Sequence, residues 1–277
     1  MGKKISLVKA GQLKSVRAKA LGLNPKNIYY QGKMAAKDKE LADRIKEVHT
    51  TDPAYGHRRM AWELGINHKR ALRVMSKFDL KPPRRKAKSP WCTRSTTKHN
   101  YTNLIKDIIP SFPHHIWASD VSYVKFQGRF WYLATIEDLM TRQIIAAQVG
   151  KKHNAQLVRR TILQALMAGY RPVYFHSDQG TEFMARECTS LLEGLGIKVS
   201  VSHTASPWEN GYKESFFGRF KDEFGDFGRF DHIGELVEEI YAQIHYYNHR
   251  RRHTALKMAP AVYAKLLTDN CLEKRGT

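Results

Sequence analysis

Three carboxylates in this 277-residue chain have a setting suited to chemistry at phosphorus: Asp120 in WASDVSYVKF, Asp178 in YFHSDQGTEF and Glu214 in PWENGYKESFFGRFKDEF. Fifty-seven residues separate the first two and thirty-five the last two. Two acids at strand positions and a third on a later helix can converge on a pair of divalent cations. Such a site performs in-line displacement, with one ion on the attacking oxygen and one on the leaving oxygen. Asp120 lies mid-strand among Ile116, Val121 and Val124, a poor place for an acid unless a metal or a basic partner compensates it. Asp178 ends a strand at a Gln-Gly turn. The carboxyl ends of strands are where α/β sheets build sites, although turn aspartates are also common. On the helix carrying Glu214, Asn210 stands four residues before it and Lys221 seven after, all within about 40° of one another at 3.6 residues per turn. Phe216, Phe217, Phe220 and Phe224 form the neighbouring apolar stripe, so the helix packs by its phenylalanines and displays the polar edge.

The surrounding elements are legible from periodicity. HIWASDVSYVKF alternates as a strand, GRFWYLATIED follows a Gln127–Gly128 turn, and RQIIAAQVG completes a three-strand meander. Residues 154–169 read as an amphipathic helix with Leu157, Ile162, Leu166 and Met167 apolar and Gly169 ending it. PVYFHSD is a short buried strand, TEFMARECTSLLEGLG one helix, IKVSVSH another strand, and Glu209 to Phe224 a helix. The order β-β-β-α-β-α-β-α is that of a ribonuclease-H-like fold. The expected class is therefore α/β, a mixed five-stranded sheet with helices, preceded by a small all-α module.

That module lies in a strongly basic half. Residues 1–100 hold 25 Lys and Arg against 7 Asp and Glu, whereas the whole chain carries a net charge of +21. A basic arm on a near-neutral globular half implies a polyanionic partner, and apolar residues interleaved with the charges favour a folded nucleic-acid-binding module over a solvated tail. Helices are expected over 5–31, broken at Gly22–Pro25, and from Lys37 to His49, with Leu41, Ile45 and Val48 on one face. Two short helices, Arg58–Leu64 and Lys69–Phe78, joined by GINH, resemble helix-turn-helix packing. Arg58, Arg59, Lys69 and Arg70 are its candidate phosphate contacts. KPPRRKAKSP is a stiff basic linker whose Arg84, Arg85 and Lys86 can follow a phosphate backbone. The domains expected are 1–80, a linker 81–112, a catalytic core 113–230 and a helical extension 231–277. The three cysteines are scattered and form no zinc pair or disulfide framework. With no signal-peptide run and no apolar stretch of membrane-spanning length, a cytoplasmic protein is expected.

His245, His249 and His253 stand at i, i+4 and i+8, but the surrounding Arg250, Arg251 and Arg252 favour phosphate contact over a metal. Asp138 reads as a turn residue or a partner of Arg142, and Glu182 as a first-turn helix acid. No nucleotide-binding loop is present.

Taken together, HIWASDVSYVKF, YFHSDQGTEF and PWENGYKESFFGRFKDEF resemble the D-D-E core shared by retroviral integrases and bacterial transposases. YYNHRRRHTALKMAP is similar to the Y-N-x-x-R-x-H-x-x-L ending of insertion-sequence transposases, and YGHRRMAWELGINHKRALRVMSKFDL to their upstream helix-turn-helix-like module. The resemblance is to the OrfB-type transposases of insertion-sequence family three and runs from about residue 12 to 265. It implies Asp120, Asp178 and Glu214 as ligands of Mg²⁺ or Mn²⁺, two ions per site, and cleavage of element ends to free a 3′-OH that attacks another phosphodiester. It implies Asn210, Lys221 and Arg219 as contacts to DNA ends, alongside His249, Arg250, Arg251, Arg252 and His253. The implied partners are the terminal inverted repeats, target DNA, further copies of the chain and a first-frame helix-turn-helix/leucine-zipper protein; the implied location is the bacterial nucleoid. Glu209, five residues before Glu214, is the rival third ligand. Two other readings compete: a catalytically silent DNA-binding or bridging protein derived from a transposase, and a structure-selective nuclease of the ribonuclease-H type.

Overall fold

The computed structural model describes Gly22 and residues 33–83, 101–202 and 211–273, with backbone alone at residues 33, 211–214 and 270–273. The chain divides into two compact units, Met1–Pro82 and Pro83–Thr277.

The first unit contains α1 (Lys33–Thr51), α2 (His57–Leu64) and α3 (His68–Lys77). Gly65 ends α2 with a φ of 62°, and its N–H returns to the Ala61 carbonyl. Asn67 then caps α3 by accepting the Lys69 N–H. Leu41, Ile45, Met60 and Val74 share one core, with Val48 packed at its margin. Asp38 is buried. Arg73 donates to both of its oxygens at 2.7 and 2.6 Å, and Lys77 donates at 2.9 Å. These hydrogen bonds hold the Asp38 carboxyl well below the usual carboxylate range. Two cations of α3 therefore serve the fold, while Arg58, Lys69 and Arg70 are exposed; Arg59 lies over the Tyr55 ring at 5.3 Å. The helices expected over 5–31 and the cations Arg84, Arg85 and Lys86 lie outside the described residues, Gly22 apart.

The second unit is built on one sheet in the order β3-β2-β1-β4-β5. Its strands are β1 (Ile116–Phe126), β2 (Arg129–Asp138), β3 (Ile144–Gly150), β4 (Tyr174–Ser177) and β5 (Lys198–Val201). The meander is antiparallel, and β4 and β5 run parallel to β1. Gln127 and Gly128, with φ of 46° and 75°, make the two-residue turn whose twist matches a hairpin. On one face, Trp117, Ile136 and Phe175 meet Val158, Ile162 and Ala165 of α4 (Ala155–Met167). The same cluster takes in Phe183 of α5 (Thr181–Met184) and Cys188 and Leu192 of α6 (Arg186–Gly194). On the other face, Val124, Phe126 and Leu133 meet all four phenylalanines of α7 (Gly211–Phe224), together with Leu236, Ile240, Ile244 and Tyr247 of α8 (Ile233–His249). Helix α9 (Pro260–Glu273) follows.

Several expectations are corrected. The single helix read across TEFMARECTSLLEGLG is two, broken at Ala185, which is extended (φ −60°, ψ 136°). On an unbroken helix, Phe183 and Leu192 would point about 180° apart; the break lets both enter one core. Met167, expected on the apolar face of α4, is 87% exposed. The end of the expected linker docks on the core: the Leu104 N–H donates to Ser200 Oγ, and the Val201 N–H to the Thr102 carbonyl. Helix α8 ends at His249, so His253 does not continue the line of His245 and His249, whose rings lie 4.3 Å apart.

The tail motif is largely architectural. Asn248 is buried and bonds the Ile144 backbone both ways, accepting its N–H at 2.9 Å and donating to its carbonyl at 2.8 Å. Arg251, expected to face phosphates, is 1% exposed, and two of its nitrogens donate to Glu223 of α7 at 2.6 Å each. It is removed from the phosphate-facing set. His249 and Arg250 are exposed, and Arg252 and His253 half-buried.

Candidate active site

Asp120 lies on β1, and Asp178 just past the end of its parallel neighbour β4. In the parallel β1–β4 pair, Ile116 lies opposite Tyr174, and Ala118 opposite His176. The paired stretch ends there; Asp120 follows two residues later on β1, and Asp178 two residues later, just past the end of β4. Alternation puts residue 120 on the face of Val124 and Phe126, which α7 covers. Glu214 stands in the first turn of that helix; its side chain is not among those described. The phenylalanine stripe of α7 packs that helix on the sheet face shared by Val124 and Phe126, with residue 214 in its first turn. Asp120 is half-buried rather than enclosed, and its Oδ1 accepts the Val121 N–H at 2.8 Å.

Asp178 follows the last residue of β4, and its Oδ1 accepts the Gly180 N–H at 3.0 Å, closing the expected turn. Loss of water from its surroundings pushes its pKa up. The Gly180 bond opposes this, the charge of Glu182 adds to it, and His153 opposes it. An aspartate crowded by another acid is a group that a cation would stabilise. Among the described side chains, no three His, Cys, Asp or Glu groups come together to hold an ion.

A pair that sequence reading missed stands behind this turn. Glu182 is buried, and its Oε1 lies 2.7 Å from His153 Nε2. A Cβ on Gly180 would collide with the Glu182 carboxylate, so the Asp178–Gly180 turn is folded tightly over it. His153 sits just before α4, whose first turn Asn154 caps by accepting the Leu157 N–H. No spacing in the sequence links residues 153 and 182; only the docking of α4 against α5 joins them. Burial alone would raise the Glu182 carboxyl, but the hydrogen bond and charge of His153 bring it below its ordinary 4.5. The bond to Glu182 raises His153 above its ordinary 6.5 against burial, and the charges of Glu182, Asp178 and Asp120 add to that. A raised histidine stabilises fully below 6.5 and loses its contribution as pH climbs through the folded value. A lowered glutamate stabilises fully above 4.5 and loses its contribution as pH falls through the folded value. The stability lost in His153→Gln should therefore be greatest between pH 4.5 and 6.5 and shrink on either side. At its greatest it should be about 1 kcal/mol for a pair this accessible, read from thermal unfolding across pH. A difference that stays flat across pH would refute the ion pair.

The remaining expected contacts are dispersed. Lys221 is half-buried on α7. Arg219 lines a 320 Å³ cavity with Glu137, Arg142, Tyr247 and His253, five helical residues and about 140° round from Glu214. Asn210 and the rival Glu209 lie outside the described residues. Asp138 is a turn residue, as expected: its carboxylate accepts from the Met140 N–H and the Thr141 hydroxyl.

A five-stranded mixed sheet in this order, with helices on both faces, defines a ribonuclease-H-like integrase core. The family model described as "Integrase core domain" matches residues 110–207, and a second of the same description matches residues 195–260. Among solved structures, the HTLV-2 integrase catalytic core domain in complex with magnesium aligns at 18% identity and a TM-score of 0.45, covering 55% of this chain and 97% of that one. The chain is 31% identical to an Escherichia coli K12 protein named as a candidate transposase, InsK, for insertion sequence element IS150, over 85% of this chain and 87% of the relative. It is 30% identical to the 31 kDa protein of insertion element IS600 from Shigella sonnei, over 82% and 87%. It is 29% identical to the transposase for insertion sequence element IS904 from Lactococcus lactis, over 78% and 89%. The chain belongs to the insertion-sequence transposases with an integrase core, a family of polynucleotidyl transferases that bind DNA and assemble as oligomers. Among the described residues, no helix is long and apolar enough to cross a membrane.

Proposed function

We infer that Asp120, Asp178 and Glu214 are the catalytic carboxylates of this transposase, that they hold Mg²⁺ or Mn²⁺, two ions per site, and that the chain frees 3′-OH groups at its element's ends and joins them to new phosphodiesters. One observation supports the reading: β1 and β4 are parallel neighbours, with Asp120 and Asp178 each two residues past the end of their paired stretch. The donor set suits a hard divalent cation, being all carboxylate oxygen. Bound there, such ions stabilise the charge developing on the attacked phosphate and lower the pKa of the attacking oxygen. The chain's own contribution is orientation: backbone N–H groups of Val121 and Gly180 fix the two aspartates, and the Phe216–Phe224 stripe fixes the helix bearing Glu214. The exposed cations Arg58, Lys69 and Arg70 of the helix-turn-helix-like unit, with Arg84, Arg85 and Lys86 beyond it, provide contacts to the terminal inverted repeats. Lys221, Asn210, His249, Arg250 and Arg252 are the contacts proposed for the catalytic unit. Copies of the chain pair the two ends, alone or with a first-frame partner, in the bacterial nucleoid.

The test is a reaction of the full chain on duplexes carrying the native element's ends, with Mg²⁺ or Mn²⁺ supplied or chelated. Joined products that need the metal support the reading. Nicked products never joined would favour a nuclease, and DNA binding with no cleavage a silent bridging protein.

A further inference from the structure

The β1–β2 hairpin is covered on one face and open on the other. Val124, Phe126 and Leu133 are buried beneath α7 and α8. The opposite face carries Tyr123, Phe130 and Tyr132, with Lys125 directly across from Phe130 and Tyr123 directly across from Tyr132. Tyr123 is 42% and Phe130 56% exposed, and their rings meet edge to face at 6.0 Å. Tyr132 is half-buried and stacks on His153 at 5.2 Å with only 9° between the planes. Its other neighbour is Tyr123, 5.4 Å away. The Glu182 ion pair holds the His153 ring, so the shelf has a fixed inner end and two open outer rings. Lys125 and Lys152 are exposed beside it.

This surface follows the first carboxylate along β1, on the face opposite to that of the Asp120 side chain. Tyr123 stands three residues beyond Asp120, about 10 Å along the strand. β4 ends at Ser177, so the shelf begins where β1 has outrun that neighbour. Burial raises the Tyr123 hydroxyl, and Tyr132 and the charges of Glu182, Asp178 and Asp120 add to that. Exposed aromatic rings interleaved with lysines on an open sheet face are the means by which proteins hold unpaired bases, since every base offers a π-face and every nucleotide a phosphate.

We propose that Tyr123 and Phe130, braced by the Tyr132–His153 stack, form a shelf on which unpaired bases of the DNA strand beside the reacting phosphate stack. The shelf extends the transposase reading by assigning a single-stranded segment to a particular surface. It predicts that the chain grips a frayed or overhanging end more tightly than a blunt one.

The test uses the full chain with the metal chelated, so that nothing turns over. The probes are a short blunt duplex and the same duplex with a single-stranded thymidine overhang, followed by anisotropy. The native chain should prefer the overhang by about fivefold or more. Tyr123→Ala with Phe130→Ala should erase that preference and leave blunt-duplex affinity in place. Tyr123→Phe with Phe130→Tyr should keep it, and Lys125→Ala should weaken both probes alike. Under irradiation, an iododeoxyuridine in the overhang should cross-link to the peptide spanning Tyr123–Tyr132. A native chain that binds duplex without preferring the overhang overturns the shelf and leaves the transposase reading standing. So does an alanine pair that keeps the preference, or one that changes the chain's mass in solution instead, which would make the rings a contact between copies. A chain that binds neither probe overturns both readings.

Discussion

Replacing Asp178 by alanine is expected to cut strand cleavage and joining by about a thousandfold or more while leaving affinity for DNA ends unchanged. The argument is positional. Asp178 sits just past the end of a buried strand that runs parallel to the one bearing Asp120, in a turn closed by the Gly180 N–H. Although Asp178 is exposed, its neighbourhood raises its pKa, lost hydration first and the charge of Glu182 after it. Neutralising it should ease that crowding, so Asp178→Asn should melt no lower than the native chain while being equally inactive. That combination separates a chemical role from a structural one: a merely structural acid would lower stability when removed. Asp120→Asn and Glu214→Gln should behave alike, and Glu209→Gln should retain activity. The measurement is product formation on end-bearing duplexes beside a melting curve for each variant. Retained joining by Asp178→Ala would sink the assignment of the site.

Replacing Arg251 by alanine should act in the opposite manner, through the fold. Arg251 is the most deeply buried cation described in the second unit, and its Nε and one terminal nitrogen grip both oxygens of Glu223. Burial works against its charge, and Glu223 more than offsets this. Its guanidinium also lies 5.6 Å from the Tyr247 ring centre. Truncation would strand the Glu223 carboxylate in a site where only 11% of that side chain meets water, at a cost of about 3–5 kcal/mol. For a unit of this size, the midpoint of thermal unfolding should fall by roughly 6–20 °C. Glu223→Gln should cost nearly as much, and Arg251→Met with Glu223→Leu should recover much of the loss, since an apolar pair of similar volume often replaces a buried ion pair without penalty. Because Glu223 lies on the helix that carries Glu214, activity should drop with stability in Arg251→Ala and return with it in the double variant. A melting point unmoved by Arg251→Ala would return this residue to the DNA-facing set.

These two residues mark the boundary of what the sequence discloses. Asp178 was legible because a strand of apolar residues ending in Asp-Gln-Gly is a local pattern, and the elements either side of it have clear periods. The succession of strands and helices along the chain followed from that alternation, and the phenylalanine stripe of α7 announced which side of the helix packs. Arg251 was misread because three consecutive arginines look alike in sequence. Which of them turns inward depends on where α8 ends and on an acid 28 residues earlier. The His153–Glu182 pair was invisible for the same reason, being made by two helices meeting and not by any spacing. The break at Ala185 escaped notice because alanine favours helix, and only the shared burial of Phe183 and Leu192 demands a change of direction.

The outer strand of the sheet has a further consequence. β3 ends the strand order, yet outward backbone groups at Ile144 and Ala147 are occupied. Asn248 takes the N–H and carbonyl of Ile144, Tyr241 donates to the Ala147 carbonyl, and Gln164 accepts the Ala147 N–H. Three side chains from two helices thus stand where a sixth strand would lie. A protein that must gather several copies on DNA is vulnerable to sheets growing into one another, because an open margin pairs with any extended chain. Here that margin is blocked from within at Ile144 and Ala147, which disfavours such pairing and leaves association between copies to other surfaces.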